Sequence, residues 1–170
     1  MRTELVTWSE VDKLVDNLLP QIGEEIDLIV AVNPGGLVLA GILAEALAVA
    51  QVVLAEVSFP GGPQLERAED MRMAEWPAFP HFPQREIVTG RQVLVVDAAW
   101  ASGRSMTAIK NRLVALGSQP ACAVLHFNTD RNNFQTQAPD YYAAVTDAMI
   151  LYPWQMNRRK DRISLIDFNW

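Results

Sequence analysis

The stretch RQVLVVDAAWASGRSM, from Arg91 to Met106, decides the fold. Its apolar β-formers, Val93 to Val96, predict a buried strand that runs directly into an acid, Asp97. A turn of small residues follows, Ala101 to Ser105, and a helical pattern begins at Met106. Such a turn lets the backbone approach a ligand closely, and free N–H groups at a helix start attract anions. The stretch therefore predicts a phosphate-binding turn at the end of a buried strand.

Composition limits the classes of protein to consider. The chain has 170 residues, half of them hydrophobic and 20% charged, which predicts one globular domain over residues 1–170 with a full core. The net charge of −6 argues against nucleic-acid binding. No apolar run reaches the roughly 20 residues that span a bilayer, and residues 1–13 lack a signal peptide's apolar core. We expect a cytoplasmic protein without membrane contact.

The lone cysteine, Cys122, lies in the apolar run from Ala121 to Leu125. This position predicts a small buried residue in a reducing compartment. The alternative is a nucleophile, for which His126 is the only base nearby. No His, Cys, Asp and Glu residues share a metal-ligand spacing, so we expect no metal site built by protein side chains alone.

The remaining chain predicts alternating strands and helices. Thr7 and Glu10 form a capping-box pattern before a helix over about 9–19. The other expected elements are strands at 28–32, 52–57, 93–96, 121–127 and 148–152, helices at 37–50 and 107–116, a left-handed cap at Gly117, and a loose edge strand within 163–170. This order is typical of an α/β fold in which a parallel, twisted sheet carries helices on both faces.

Residues 58–84 interrupt the pattern with a cluster of prolines and glycines. A stretch of this length without a clear element predicts a hood or flap over the sheet. Trp76 and the segment Phe79 to Phe82 are expected to anchor this flap, with a binding face as the alternative. The alternative is a solvated insertion without a role. A C-terminal segment, 139–170, completes the expected domain.

Two turns follow buried strands, at Asn33 to Gly36 and at Asp97 to Ser105. Because ligands bind at the carboxyl ends of parallel strands, we expect both turns to meet there. Gly35 and Gly36 allow close approach, and Ser102 to Ser105 offer hydroxyl and N–H groups. Together they favour a phosphorylated ligand.

The stretch 91–106 resembles the phosphoribosyl-pyrophosphate signature of type I phosphoribosyltransferases: an apolar strand, two acids, and a Ser/Thr-Gly-x-Thr turn. Residues 30–47, VAVNPGGLVLAGILAEAL, resemble that family's pyrophosphate loop and helix. Thr89 to Val93 resemble the usual entry to the signature strand. Three further segments resemble the family's hypoxanthine/xanthine/guanine branch: Val124 to Phe127, Pro139 to Tyr142 and Tyr152 to Trp154. The resemblance covers most of residues 26–155 and implies the type I phosphoribosyltransferase fold.

The resemblance also implies a reaction, the transfer of 5-phosphoribosyl from its pyrophosphate to a purine nitrogen, with Mg²⁺ bound through the pyrophosphate. Asp97 takes the position of the first acid, which holds the ribose hydroxyls. The 5′-phosphate turn is retained in Ser102, Gly103, Arg104 and Ser105. Pro34, Gly35 and Gly36 take the pyrophosphate loop, where Asn33–Pro34 replaces a strained cis peptide followed by a basic residue. We therefore expect a cis Asn33–Pro34 bond.

Other positions depart from the family. Ala98 stands where the second acid belongs, and Ala101 where the Asp proposed to handle the base proton belongs. At the base end, Asn128 lies near the family's Lys, and Met149, beside Ile150, replaces an aromatic. Gln155 replaces an acid. His126 is expected to make a structural hydrogen bond, and Trp100 either fills the vacated ribose site or packs under the flap.

Two functions follow from these positions. The first is a protein that binds phosphoribosyl pyrophosphate or a nucleoside monophosphate, with purine phosphoribosyl transfer weak or lost. If it is active, it is a pentosyltransferase of the purine salvage type. The alternative is a non-catalytic regulatory or assembly factor that binds a protein partner. The family resemblance and the apolar flap also favour a homodimer.

Overall fold

The computed structural model of the chain describes residues 2–23, 25–59, 76–134, 136–157 and 164–165. Within the described residues, the centre of the fold is a six-stranded sheet with the strand order β4-β3-β2-β5-β6-β7. The strands are β2 (Leu28–Val32), β3 (Val52–Ser58), β4 (Ala78–His81), β5 (Gln92–Trp100), β6 (Gln119–Asn128) and β7 (Tyr141–Thr146). All neighbours pair in parallel except β4, which runs antiparallel to β3 at one edge.

Four helices cover the two faces of this sheet in the described part of the chain: α1 (Trp8–Leu18), α2 (Leu37–Ala46), α3 (Arg85–Val88) and α4 (Arg104–Ala115). Leu94 and Val96 of β5 belong to a core cluster with α1 and α2, whereas Val93 and Val95 belong to a second cluster with α3 and α4. Successive strand residues point to opposite faces, so a continuous apolar strand fills both cores. The predicted α/β fold is confirmed.

The predicted capping box begins α1. The Thr7 backbone N–H donates to Glu10 Oε2 at 2.7 Å, and the Glu10 N–H donates to Thr7 Oγ1 at 3.3 Å. Val11, Val15 and Leu18 are the buried residues of this helix. Local sequence therefore determines where the first helix starts and which side it buries.

Several predicted boundaries were wrong. Helix α2 ends at Ala46 rather than residue 50, because Ala48 adopts a positive φ of 53° and stops the helix. Helix α4 starts at Arg104, before the predicted start at residue 107, because the left-handed Gly103 (φ 78°) turns the chain at that point. Strand β5 continues past Val96 to Trp100 because its last residues still pair with β6. The left-handed cap at Gly117 (φ 86°) is confirmed.

Some elements were not predicted. For the strands among them, the reason is that they form by pairing with residues far away in the chain. A short strand, β1 (Thr3–Leu5), pairs in parallel with β8 (Met149–Leu151). Strand β7 and helix α3 were missed too. A last pair joins β9 (Met156–Asn157) to β10 (Ser164–Leu165), so the edge strand predicted within 163–170 is seen at 164–165, and its other residues lie outside the described ones.

The predicted flap, residues 58–84, is described at its two ends, and residues 60–75 lie outside the described part. Strand β4 belongs to it. Phe79 and Phe82 pack against the second core cluster, and the Arg112 guanidinium lies 4.3 Å and 4.7 Å from their ring centroids. These two side chains are anchors, as predicted. Trp76 is not, because it is 88% exposed just before β4. No helix among the described residues is long and apolar enough to cross a membrane.

Candidate ligand site

A cavity opens at the carboxyl ends of β5, β6 and β7, beneath the segment that follows β7. The space between its walls that no protein atom fills is about 500 Å³, including the part open to solvent. Its lining residues are Gly35, Asp97, Ala98, Ala99, Ala101, Asn128, Arg131, Thr146, Ala148, Met149, Ile150, Tyr152 and Gln155. Strand ends from distant parts of the sequence therefore meet at the edge where α/β proteins bind ligands.

The two predicted turns meet at Asp97. A Cβ placed on Gly35 would lie 2.5 Å from Asp97 Oδ1, so the absence of a side chain there leaves room for the carboxylate. A Cβ on Gly36 would collide with the Val96 carbonyl oxygen, so this glycine lets the first turn pack directly on β5. The peptide bond Asn33–Pro34 is cis, as predicted.

Asp97 is a half-buried carboxyl at the cavity wall. Desolvation raises its pKa to about 7, although the 2.7 Å hydrogen bond that Asp97 Oδ1 accepts from the Ala98 N–H acts in the opposite direction. The group can therefore exchange its proton near neutral pH.

Alanines occupy the positions around this carboxyl. Ala98, Ala99 and Ala101 line the cavity, and among the described lining residues Asp97 is the only carboxylate. The described residues also contain no group of three or more His, Cys, Asp or Glu that could hold a metal ion. The residues present do not fit a Mg²⁺ ion held by the protein, since hard divalent cations need several oxygen ligands.

Asn128, at the end of β6, is 4% exposed and bonded at both ends of its amide. Its Nδ2 donates to the Ala148 carbonyl at 3.0 Å, and its Oδ1 accepts from the Arg131 N–H at 3.0 Å. The side chain thus joins the loop after β6 to the segment after β7. Asn128 lines the cavity, and its two hydrogen bonds also hold these two segments together.

Tyr152 was missed by the sequence reasoning, yet it ties the cavity roof to the sheet. Its hydroxyl donates to the Ala98 carbonyl at 2.8 Å. That hydroxyl has one hydrogen, so at its 2.8 Å contact with His126 the imidazole Nδ1–H is the donor. Burial lowers the pKa of His126, which favours the neutral ring. His126 is therefore a structural partner, as predicted.

Aromatic packing supports the same roof. The Tyr152 ring stacks on Trp154 with centroids 4.7 Å apart and planes at 10°, and Trp154 lies 5.7 Å from Trp8 of α1. Gln155 closes the turn, because its Oε1 accepts from the Tyr152 backbone N–H at 3.0 Å. The lining residues Arg131, Thr146 and Ala148 were also missed, since only the fold brings their loops to this edge.

The predicted phosphate turn lies beside the cavity, reaching it through Ala101. Ser102, Gly103, Arg104 and Ser105 are not among the cavity-lining residues, and neither are Pro34 and Gly36. The turn leads into α4, where Gly103 offers no capping side chain and the Arg104 backbone N–H donates to Ser102 Oγ at 3.4 Å. The Arg104 guanidinium lies 4.2 Å from the centroid of the Phe59 ring. The turn and the cavity are thus neighbouring parts of one edge.

Trp100 supports this turn from below. It is 2% exposed, and a Cβ on Gly103 would lie 2.5 Å from its indole Nε1. The indole N–H donates to Asn132 Oδ1 at 3.1 Å. Trp100 does not line the cavity and belongs to the core cluster against which Phe79 and Phe82 pack. It therefore does not fill the vacated site, and it packs on the side of the flap anchors.

Cys122 is fully buried on β6, and burial raises the pKa of its thiol to about 12. A thiol that stays protonated and inaccessible is a poor nucleophile. The prediction of a small buried residue is confirmed.

Comparison with known proteins agrees with this architecture. The phosphoribosyl transferase domain family matches residues 3–159. A purine phosphoribosyltransferase from Pyrococcus horikoshii is 22% identical and covers 95% of this chain and 100% of its own, with a TM-score of 0.72. A hypothetical protein from Neisseria gonorrhoeae with bound ppGpp is 20% identical, covers 90% and 89%, and has a TM-score of 0.71.

A xanthine-guanine-hypoxanthine phosphoribosyltransferase from Helicobacter pylori is 16% identical, covers 90% of this chain and 92% of its own, and has a TM-score of 0.65. At these identities the likeness shows the fold. No curated protein matches the sequence. Since the family match spans nearly the whole length and the sheet order, turns and cavity fit it, the chain belongs to the phosphoribosyl transferase domain family.

Proposed function

We propose that this protein binds phosphoribosyl pyrophosphate or a purine nucleoside monophosphate, and that its purine phosphoribosyl transfer is weak or lost. The observation that carries the proposal is the composition of the cavity wall. The turn Ser102 to Ser105, which resembles the family's 5′-phosphate turn, lies beside the cavity, whereas Asp97 is the only carboxylate among the described lining residues. The residues expected to bind phosphate are thus kept, whereas the carboxylates expected to take part in the reaction are replaced.

The phosphate end of the ligand would lie at the start of α4. The turn at Gly103 is left-handed, and Gly103 has no capping side chain. The Arg104 N–H donates to Ser102 Oγ at 3.4 Å, so the next N–H groups of the first turn are the ones that can receive an anion. Arg104 adds a cation at the same turn. These features favour a 5′-phosphate, and they do not depend on the lost acids.

The ribose and the reacting centre would lie at Asp97. Ala98 provides no carboxylate for the ribose hydroxyls, and hydrogen bonds to charged groups contribute roughly 1.5–3 kcal/mol each. Ala101 provides no acid or base, a contribution of about 10²–10⁴ in rate. The absence of carboxylates at Ala98 and Ala101 should therefore reduce the rate of transfer more than it reduces the affinity for phosphate.

The base would lie between Met149, Ile150 and the alanines of β5. Met149 is apolar and polarisable, so it can lie against a ring, but more loosely than an aromatic side chain. Asn128 brings no positive charge to a base oxygen. Mg²⁺ would enter only with a pyrophosphate, whose oxygens supply the ligands that the protein lacks.

Isothermal titration calorimetry tests the proposal. Phosphoribosyl pyrophosphate is titrated with and without Mg²⁺, followed by purine nucleoside monophosphates and ppGpp, the nucleotide bound to the similar Neisseria gonorrhoeae protein. We expect binding of at least one of these. A transfer assay across purine bases then measures turnover, which we expect to be far below ordinary enzyme rates.

Each outcome separates the alternatives. Ordinary turnover contradicts the loss of transfer while keeping the family activity. Absence of binding by every ligand overturns the proposal and points to a protein-binding role. The homodimer is a separate prediction, which sedimentation velocity of the purified chain checks by its mass.

A further inference from the structure

We propose that Asn132, in the loop that joins β6 to β7, is a positioning residue for the phosphate turn, Ser102 to Ser105. It acts through Trp100, whose indole supports Gly103, and not by contact with the ligand. The inference rests on the proposed function, which places a 5′-phosphate at this turn. Its foundation is a set of contacts that join residues 132–133 to the backbone of the turn.

The phosphate turn cannot determine its own shape by side-chain packing. Ala101, Ser102 and Gly103 carry small side chains or none. Gly103 has a φ of 78°, a conformation that glycine adopts at little cost. Glycine also has more backbone freedom to lose than any other residue, so this conformation needs support from outside the turn. The shape of the turn therefore depends on the residues packed against it.

Trp100 lies directly against Gly103. A Cβ on Gly103 would lie 2.5 Å from the indole Nε1, 2.6 Å from Cε2 and 2.8 Å from Cζ2. The ring is 2% exposed and belongs to the core cluster that includes Met106 and Ile109 of α4. The N–H edge of the indole is thus the surface on which the backbone of the turn rests. A rotation of this ring would change the position of Gly103.

Asn132 fixes the indole. Its Oδ1 accepts from the Trp100 indole N–H at 3.1 Å and from the Phe134 backbone N–H at 3.3 Å. Its Nδ2 donates to the backbone carbonyls of Phe134 at 2.9 Å and Gln137 at 2.8 Å. Both partners of the oxygen are donors only, and both partners of the nitrogen are acceptors, so the amide has one orientation. Each hydrogen-bonding atom of the amide is engaged, which fixes the acceptor that the indole meets.

The following residue, Asn133, holds the turn by its backbone. Its N–H donates to the Ser102 carbonyl at 3.1 Å. The C=O and N–H of a trans peptide point in opposite directions, so the Gly103 N–H points away from this loop. Among the described residues no acceptor pairs with that N–H, which leaves it for a phosphate oxygen. The loop therefore orients a donor of the turn as well as supporting its backbone.

The loop is also fixed along α4. Thr107 Oγ1 donates to Gln137 Oε1 at 2.9 Å, and Lys110 Nζ lies 2.7 Å from Asp140 Oδ2. The same Asp140 oxygen accepts from the backbone N–H of Cys122 on β6 at 2.7 Å. Because these bonds join the loop to the helix that follows the turn, the loop and the turn keep one relative position.

The experiment compares IMP with inosine, which differs from IMP only in lacking the 5′-phosphate. Isothermal titration calorimetry measures both dissociation constants for the wild-type protein and for Asn132→Ala, which removes the acceptor of the indole N–H. We expect the affinity for IMP to fall at least about tenfold, as for the loss of one hydrogen bond to a charged group, and that for inosine to change less than about twofold. A residue with a merely structural role would change both affinities alike.

A second variant tests the route of the effect. Trp100→Phe keeps an aromatic ring against Gly103 but removes the indole N–H, so it breaks the same hydrogen bond from its other partner. If Asn132 acts through Trp100, the double variant Asn132→Ala/Trp100→Phe should bind IMP no more weakly than the weaker single variant. Additive losses would overturn the route through Trp100.

The matched control is Gln21→Ala at the end of α1. Like Asn132, the Gln21 amide donates to two backbone carbonyls, those of Asn17 and Tyr142, each at 2.9 Å. Its loss removes the same kind of hydrogen bonds from a different part of the fold. The ratio of the IMP and inosine affinities should be that of the wild-type protein.

An NMR signal reports the contact directly. The chain has five tryptophans, so a nitrogen–hydrogen correlation spectrum can resolve five indole N–H signals, and Trp100→Phe identifies the one from Trp100. We expect IMP to shift this signal more than inosine does in the wild-type protein, because Gly103 lies against the indole nitrogen. An equal shift with both ligands would contradict the coupling of the indole to the phosphate.

The outcomes are distinguishable. If the wild-type protein binds neither IMP nor phosphoribosyl pyrophosphate, the proposed function is overturned and this inference with it. If it binds only phosphoribosyl pyrophosphate, the affinity for that ligand, compared with Gln21→Ala, takes the place of the ratio. A wild-type ratio in folded Asn132→Ala overturns this inference alone. If Asn132→Ala does not fold, as judged by thermal unfolding, Trp100→Phe replaces it, and a wild-type ratio there has the same meaning.

Discussion

The hydroxyl of Tyr152 donates a 2.8 Å hydrogen bond to the carbonyl oxygen of Ala98. This bond joins the turn after β8 to β5 at the residue that follows Asp97. Since Tyr152 also receives the His126 N–H, three distant parts of the chain are connected in one buried chain of hydrogen bonds. The shape of the cavity depends on this connection.

Replacing Tyr152 by Phe should lower the free energy of unfolding by about 1–3 kcal/mol, because the Ala98 carbonyl and the His126 N–H lose their partner in a buried site. Urea denaturation measures the change. The control is Tyr142→Phe on β7, a side chain that is 37% exposed, which should be nearly neutral. Equal effects of the two variants would contradict the importance of the connection.

The raised pKa of Asp97 predicts a pH dependence of stability. Its ordinary pKa is 3.8, and burial raises it to about 7, so the native state holds a proton that the unfolded state loses. Between these values the native state binds more protons, and the free energy of unfolding falls as pH rises. In Asp97→Asn this pH-dependent fall in the free energy of unfolding should be absent. The stability of the wild type relative to the variant should therefore decline from pH 4 to 7 and stay constant above.

Ligand binding should show the opposite trend if ionised Asp97 holds ribose hydroxyls. Calorimetry with a nucleoside monophosphate should give tighter binding at pH 8 than at pH 6, with the change lost in Asp97→Asn. His126 and Arg131 stand near the same site, and burial lowers the pKa of His126, so the variant is needed to assign the effect. A pH dependence that persists in Asp97→Asn would assign it to another group.

Gly103 is predicted to be irreplaceable because of Trp100. In Gly103→Ala the new Cβ would meet the indole at 2.5–2.8 Å, in addition to the cost of its positive φ of 78°. Gly90→Ala is a matched control, since Gly90 has a φ of 74° but nothing within 4 Å. We expect Gly90→Ala to cost about 1–2 kcal/mol and Gly103→Ala about 1–3 kcal/mol more. Chemical denaturation of both gives the difference, and equal losses would show that the indole moves freely.

Restoring the acids should restore chemistry. The variant Ala98→Asp with Ala101→Asp places carboxylates at two residues that line the cavity. Because a positioned acid or base contributes about 10²–10⁴ in rate, the double variant should raise purine phosphoribosyl transfer by at least 10²-fold. A transfer assay with Mg²⁺ measures this. Unchanged turnover in a folded variant that still binds ligand would show that other groups limit the reaction.

Local patterns were sufficient for much of the fold. The capping box at Thr7 and Glu10, the apolar runs of β2 and β5, and the left-handed Gly117 act within a few residues, so the sequence predicts them directly. The strand β1 was missed because its three residues become a strand only by pairing with β8. The prediction that Trp76 is an anchor was wrong, because the exposure of this side chain depends on which elements cover that edge of the sheet.

The same division holds at the site. Sequence alone determined which chemical groups are present: Asp97 without neighbouring acids, a Ser-Gly-Arg-Ser turn before a helix, and two glycines after β2. Tertiary structure decided what those groups do. It placed Gly35 against Asp97, raised the pKa of Asp97 by burial, and brought the Tyr152 hydroxyl to the Ala98 carbonyl. Desolvation and hydrogen-bond direction arise only when residues far apart in the chain come into contact, and no local pattern specifies them.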